Sequence, residues 1–249
     1  MPSYDPTSVI AWAVLLVIPL LLLWFIVRAR RRAPVLRPMA AWDTLRGLMG
    51  RAVEEGKQVH LSLGRSGPGA EQTAVVSAAL DVQRHLAQKG AATGTAPLTT
   101  VADPLLMLAA QDALYRAYRD QGRATEYDGT CVQLIAPDPL AYAVGAQDRI
   151  DDEGTAANVM VGHLGNEYLL LGETGAQNKL LQVAGSDVLD TQALMTGTAD
   201  HVLLGEEMFS AGAYLNRRPA AIASLQVEDV LRLLAVLAIL AGIVIESLA

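Results

Sequence analysis

The chain has 249 residues, 52% hydrophobic and 5% aromatic, and its 19 Lys and Arg against 26 Asp and Glu give a formal net charge of −7. That hydrophobic fraction excludes a disordered chain, one Cys excludes a disulfide scaffold, and 21 glycines without a period exclude a collagen-like repeat. The net acidity argues against a nucleic-acid partner, which would need a basic face to neutralise phosphates.

The chain opens on Val9 to Val27, 19 residues without a charge, fourteen of them Leu, Ile, Val or Phe. At about 1.5 Å per residue such a helix reaches about 28 Å, close to the hydrocarbon thickness of a bilayer. Only Asp5 precedes the run, whereas Arg28, Arg30, Arg31, Arg32 and Arg37 follow it. By the positive-inside rule this predicts an uncleaved anchor in the inner (plasma) membrane, N-terminus outside and main domain cytoplasmic, with the lipid bilayer as partner. Val230 to Ala249 reads as a shorter second span, or alternatively as an amphipathic or core helix packed on the domain. The expected organisation is a 1–37 anchor with a basic cytoplasmic flank, a 38–227 cytoplasmic domain, and a 228–249 C-terminal transmembrane helix.

Residues 39–227 hold 13 basic and 22 acidic side chains, a net −9, and are numerous enough for an independent core. An opening helix is expected over Ala41 to Glu55. Apolar, β-rich runs then fall at Gln58 to Leu63, Leu98 to Ala102, Cys131 to Ala136, Asn158 to His163, Leu180 to Ala184 and His201 to Leu204. Between them, apolar residues recur at helical spacing over Ala70 to Gln88, Pro104 to Gln121, Pro139 to Asp152, Glu167 to Gln177 and Asp187 to Thr196. A strand over Glu167 to Leu171 is the alternative there, since Tyr168 and three leucines in a row have no clear period. The alternation predicts an α/β fold, a Rossmann-like and mostly parallel sheet with helices on both faces, flanked by N- and C-terminal transmembrane helices.

Two strand-to-helix junctions repeat a turn, Ala102-Asp103-Pro104 and Pro137-Asp138-Pro139. Asp at the N-cap accepts backbone N–H bonds, and Pro at the first helical position gives up a donor the helix does not use. After the first strand comes Gly64-Arg65-Ser66-Gly67-Pro68-Gly69, a glycine turn before a helix and so a candidate anion cradle. It lacks the Gly-Lys-Ser/Thr ending of a P-loop, and its spacing is not the GxGxxG dinucleotide fingerprint. A parallel sheet delivers the C-terminal ends of all its strands to one edge, where ligands of open α/β sheets bind. The ligand-binding candidates there are Gly64, Gly67, Gly69, Asp103, Asp138, His163, Asp187 and Glu206. No HExxH or Cys/His pairing marks a metal site, no Gly-x-Ser-x-Gly elbow marks a serine hydrolase, and Cys131 reads as a packing residue in a reducing compartment.

The runs Glu126-Tyr127-Asp128, Ala136 to Ala143, Asn158 to Gly165 and His201 to Leu215 resemble a family of bacterial membrane-tethered proteins of unknown function, over most of Val59 to Arg218. The resemblance implies an α/β cytoplasmic domain held by hydrophobic ends, and it brings no activity or catalytic residue. The residues lead us to expect a membrane-anchored binding or assembly module, either sensing a small anionic ligand at the sheet edge or joining copies of itself or a membrane partner protein. The rival expectation is a nucleotide- or metal-dependent enzyme, a transferase or hydrolase, using the same edge.

Overall fold

The computed structural model describes residues 6–31, 34–65, 67 and 72–248, with side chains left out at 6–14, 241, 245, 246 and 248. The chain divides into two compact units, Met1–Leu36 with Arg217–Ala249, and Arg37–Asn216.

In the first unit, helix α1 (Pro6–Arg31) packs along helix α9 (Pro219–Leu248). Leu15, Leu20, Leu23, Leu233 and Ile239 stand exposed on them. Among the described residues no helix is long and apolar enough to cross a membrane. In α9, Glu228, Asp229 and Arg232 interrupt the apolar surface. This finding corrects the expectation of flanking N- and C-terminal transmembrane helices, and with it the inner-membrane placement with an outside N-terminus.

The second unit runs α2 (Ala40–Glu54), β1 (Gln58–Gly64), α3 (Thr73–Thr93), β2 (Leu98–Val101), α4 (Pro104–Asp120), β3 (Val132–Leu134), α5 (Pro139–Ile150), β4 (Thr155–His163), α6 (Tyr168–Gln177), β5 (Leu181–Ser186), α7 (Leu189–Thr198), β6 (His201–Leu203) and α8 (Ala211–Tyr214). All six strands are parallel, in the order β3-β2-β1-β4-β5-β6. The expected parallel α/β sheet is therefore present. The order runs outward from β1 in one direction and from β4 in the other, so β1 and β4 flank the point where the winding reverses.

Strand periodicity sets the two faces of the sheet. Leu61, Thr99, Val159 and Val183 occupy one register row, and Thr99 donates to Gln83 Oε1 of α3 at 2.9 Å. That row therefore faces α3. The opposite face carries Ser62, Thr100, Met160 and Ala184 under α5, α6 and α7, where Tyr142, Ala146, Ile150, Tyr168, Leu171 and Met195 close a fully buried cluster. Burying a large apolar side chain stabilises by about 1.5–3 kcal/mol, so this cluster and its counterpart beneath α3 hold the helices to the sheet.

Local chemistry explains the helix ends. Asp103 and Asp138 cap α4 and α5, each followed by Pro at the first helical position, and Gly94 ends α3 in the left-handed region with φ 86°. The stretch over Glu167 to Leu171 resolves as the start of α6, with Tyr168 and Leu171 facing the core. β4 begins three residues earlier than its apolar run, because Thr155 and Ala157 pair with Gln58 and Val59. β3 is shorter than its run, since Gly129–Cys131 forms a 3-10 turn capped by Asp128.

Candidate functional site at the strand C-terminal edge

Gly64 ends β1 at the reversal point. It has φ +68°, and a Cβ there would stand 2.5 Å from the His163 carbonyl oxygen of β4. Only glycine fits that conformation and spacing. The chain then turns away while tied to both neighbouring strands: Arg65 N–H donates to His163 O of β4 at 3.0 Å, and Ala102 N–H, just past β2, donates to Gly64 O at 3.2 Å. Gly67 N–H donates to Gln72 Oε1 at 3.2 Å. The amides of Arg65 and Gly67 are thus used within the protein.

Two pairs of side chains stand over the reversal point. Arg65 Nε donates to Glu167 Oε1 at 2.6 Å, and Gly165 N–H donates to the same oxygen at 2.9 Å. Burial alone would push the Glu167 carboxyl up, but the Gly165 amide and the Arg65 guanidinium outweigh it and hold the carboxyl below the usual glutamate range. Alongside, His163 Nδ1 lies 2.9 Å from Asp187 Oδ1 and 3.1 Å from Oδ2, with both side chains about a quarter exposed. Asp187 follows Ser186, whose hydroxyl donates to Leu164 O and accepts from Leu164 and Val188 N–H. These bonds lock together the ends of β4 and β5.

The topology brings Gly64, Gly67, Asp103, His163 and Asp187 to neighbouring strand ends. A Cβ on Gly67 would lie 3.1 Å from Asp103 Oδ2, while Asp103 Oδ1 accepts from Leu105 and Leu106 N–H to cap α4. Asp138 and Glu206 are not part of this group. They follow β3 and β6, the two edge strands, which at about 4.8 Å per strand lie roughly 24 Å apart. Asp138 caps α5 through Ala141 N–H, and Glu206 lies in a 3-10 turn, Gly205–Ser210. Gly69 falls outside the described residues.

Sequence reasoning missed Arg65 and Glu167 as a pair, 102 positions apart. It also missed the polar residues directly beneath them. Tyr142 OH lies 2.6 Å from Ser62 Oγ and 3.1 Å from Thr100 Oγ1, and His60 bridges Thr100 and Asn158 at 3.0 and 2.8 Å. Burial pushes the His60 imidazole down to about 4 and the Tyr142 phenol up. The signal available was the polar alternation of His60 and Ser62 in an otherwise apolar strand.

Among the described residues no group of three or more His, Cys, Asp or Glu is placed to hold a metal ion. Two cavities lie away from the β1–β4 reversal: one of about 270 Å³ along edge strand β6, lined by His201, Glu207 and the start of α2, and one of about 460 Å³ beside the start of β4 at Thr155. Asp151, Asp152 and Glu153 line the larger one, a setting that repels anions. Topology and side-chain chemistry point to the β1–β4 reversal as the candidate site.

Six parallel strands whose winding order reverses between β1 and β4 define a doubly wound α/β domain. The family model described as a domain of unknown function, DUF6754, matches residues 2–249, and the chain belongs to that family. No curated protein and no solved structure matches it.

Proposed function

We propose that this chain is a binding module that takes a small anionic ligand in the crevice where β1 and β4 part. The observation that carries this reading is the reversal of strand order at that point, with Arg65 and His163 beside it. Ligands of open α/β sheets bind outside the strand C-termini at such a point. Arg65 offers a planar guanidinium suited to phosphate or carboxylate. The acidic neighbours Glu167 and Asp187 are each paired, which limits their repulsion of an anion.

A second reading, an enzyme acting at the same edge, draws on the His163–Asp187 pair, since a carboxylate that orients an imidazole is a common arrangement for proton transfer. Thermal unfolding of the full chain with inorganic phosphate and with nucleoside phosphates, each with and without Mg²⁺, tests the binding reading. A ligand at 100 times its Kd stabilises by about 2.7 kcal/mol, and Arg65→Gln with His163→Ala should abolish that shift. No shift with any of these probes defeats the proposal; phosphate release during incubation favours the enzyme.

A further inference from the structure

A chain of buried hydrogen bonds crosses the sheet beneath the reversal point, and one end fixes the polarity of the rest. Gln182 Nε2 donates to two carbonyls, Gly172 O at 2.9 Å and Thr198 O at 2.8 Å. Its oxygen must then accept, and it does so from Asn158 Nδ2 at 3.0 Å. Asn158 Oδ1 is left as an acceptor, so His60 Nδ1, 2.8 Å away, carries the ring proton. His60 Nε2 therefore accepts, and the Thr100 hydroxyl donates to it at 3.0 Å. Having given its proton away, Thr100 Oγ1 can only accept from Tyr142 OH, which also reaches Thr100 O at 3.2 Å. The remaining role of the phenol oxygen is to accept, from Ser62 Oγ of β1 at 2.6 Å.

The geometry points to Tyr142 as the positioning residue of the candidate site, holding β1 at Ser62, two residues before the Gly64 turn, in an orientation dictated by Gln182 two strands beyond. Tyr142, His60, Ser62, Thr100 and Asn158 are all fully buried, so no water competes for these bonds. An unmade bond in such a chain leaves a neighbour unsatisfied. The inference deepens the ligand reading and rests on it for what the turn binds, but its geometry is independent of any ligand.

The test uses the full chain without ligand, comparing wild type with Tyr142→Phe, which keeps the ring and removes only the hydroxyl. Amide hydrogen exchange at Gly64 and Arg65 should quicken about tenfold, the equivalent of one buried hydrogen bond, while β5 amides keep their rates. Nitrogen NMR should find the wild-type His60 proton on Nδ1, unmoved by Tyr142→Phe and shifted toward Nε2 by Gln182→Leu. Unchanged exchange at Gly64, uniform acceleration across the sheet, or a wild-type proton on Nε2 overturns the inference. Should Tyr142→Phe fail to fold, Ser62→Ala is read the same way. Titrating inorganic phosphate into wild type separates the two claims: absence of binding sinks the ligand reading for that probe, while the exchange rates still decide the role of Tyr142.

Discussion

Gly64 and His163 meet backbone to backbone at the ends of β1 and β4, so closely that a Cβ on Gly64 would stand 2.5 Å from the His163 carbonyl oxygen. The same carbonyl accepts the Arg65 amide, so the contact both closes the sheet and starts the turn. Gly64→Ala meets two penalties, a left-handed φ and a backbone clash. We expect a loss of about 2–4 kcal/mol, read as a lower urea midpoint with an unchanged slope. A cost below about 0.5 kcal/mol, within the range of an ordinary surface substitution, contradicts the close approach.

Acid should destabilise the domain in a definite window. Burial holds folded His60 neutral down to about pH 4, against 6.5 in the free side chain. His85 is likewise lowered to about 4, by burial first and then by Lys89 and Arg46. Between those values the unfolded state binds more protons, so stability is complete above about pH 6.5 and is lost as pH falls toward 4. For fully buried His60 the loss is on the order of 3 kcal/mol. Urea unfolding at pH 7, 5.5 and 4.5 should show it, and His60→Gln should remove a large part of the slope. An unchanged slope in His60→Gln would mean that water reaches the imidazole.

The fold was legible because six short apolar runs alternate with helical spacings, and parallel strands buried on both faces need such runs. The order of the strands was not, since nothing in Gln58 to Gly64 says which neighbours it pairs with. At the site, Asp103 and Asp138 were readable as caps because capping is local. Arg65 with Glu167, and Gln182 with His60 through Asn158, were not readable, because partners a hundred residues apart meet only once the sheet order is known. The apolar ends misled: composition gave Val9 to Val27 enough length to span and Val230 to Ala249 a shorter second span, whereas among the described residues no helix is long and apolar enough.

Arg65 and Glu167 form the most enclosed ion pair over the site, with side-chain exposures of 25% and 6%. Removing one partner leaves a buried charge without its counterion, whereas removing both leaves an apolar patch. Arg65→Met alone should therefore destabilise by about 2–3 kcal/mol, and Arg65→Met with Glu167→Leu by clearly less. Chemical denaturation of the two variants at pH 7 decides it. Equal losses would show the pair to be solvated.

Asp103 and Asp138 allow a structural duty to be separated from a ligand-binding one. Asp103 Oδ1 accepts two amides, at 2.8 and 2.9 Å, while Asp138 accepts one, at 2.9 Å. Alanine at either position should cost about 0.5–2 kcal/mol, with Asp103→Ala the dearer of the two, and Ser should recover most of it at both. Their effects on binding should diverge: Asp138 follows an edge strand, whereas Asp103 Oδ2 faces Gly67 beside the reversal point. A ligand-induced thermal shift should survive Asp138→Ala at full size and change with Asp103→Ser, whose cap is kept but whose second oxygen is gone. Equal sensitivity of the shift to both substitutions would place the ligand somewhere other than the β1–β4 crevice.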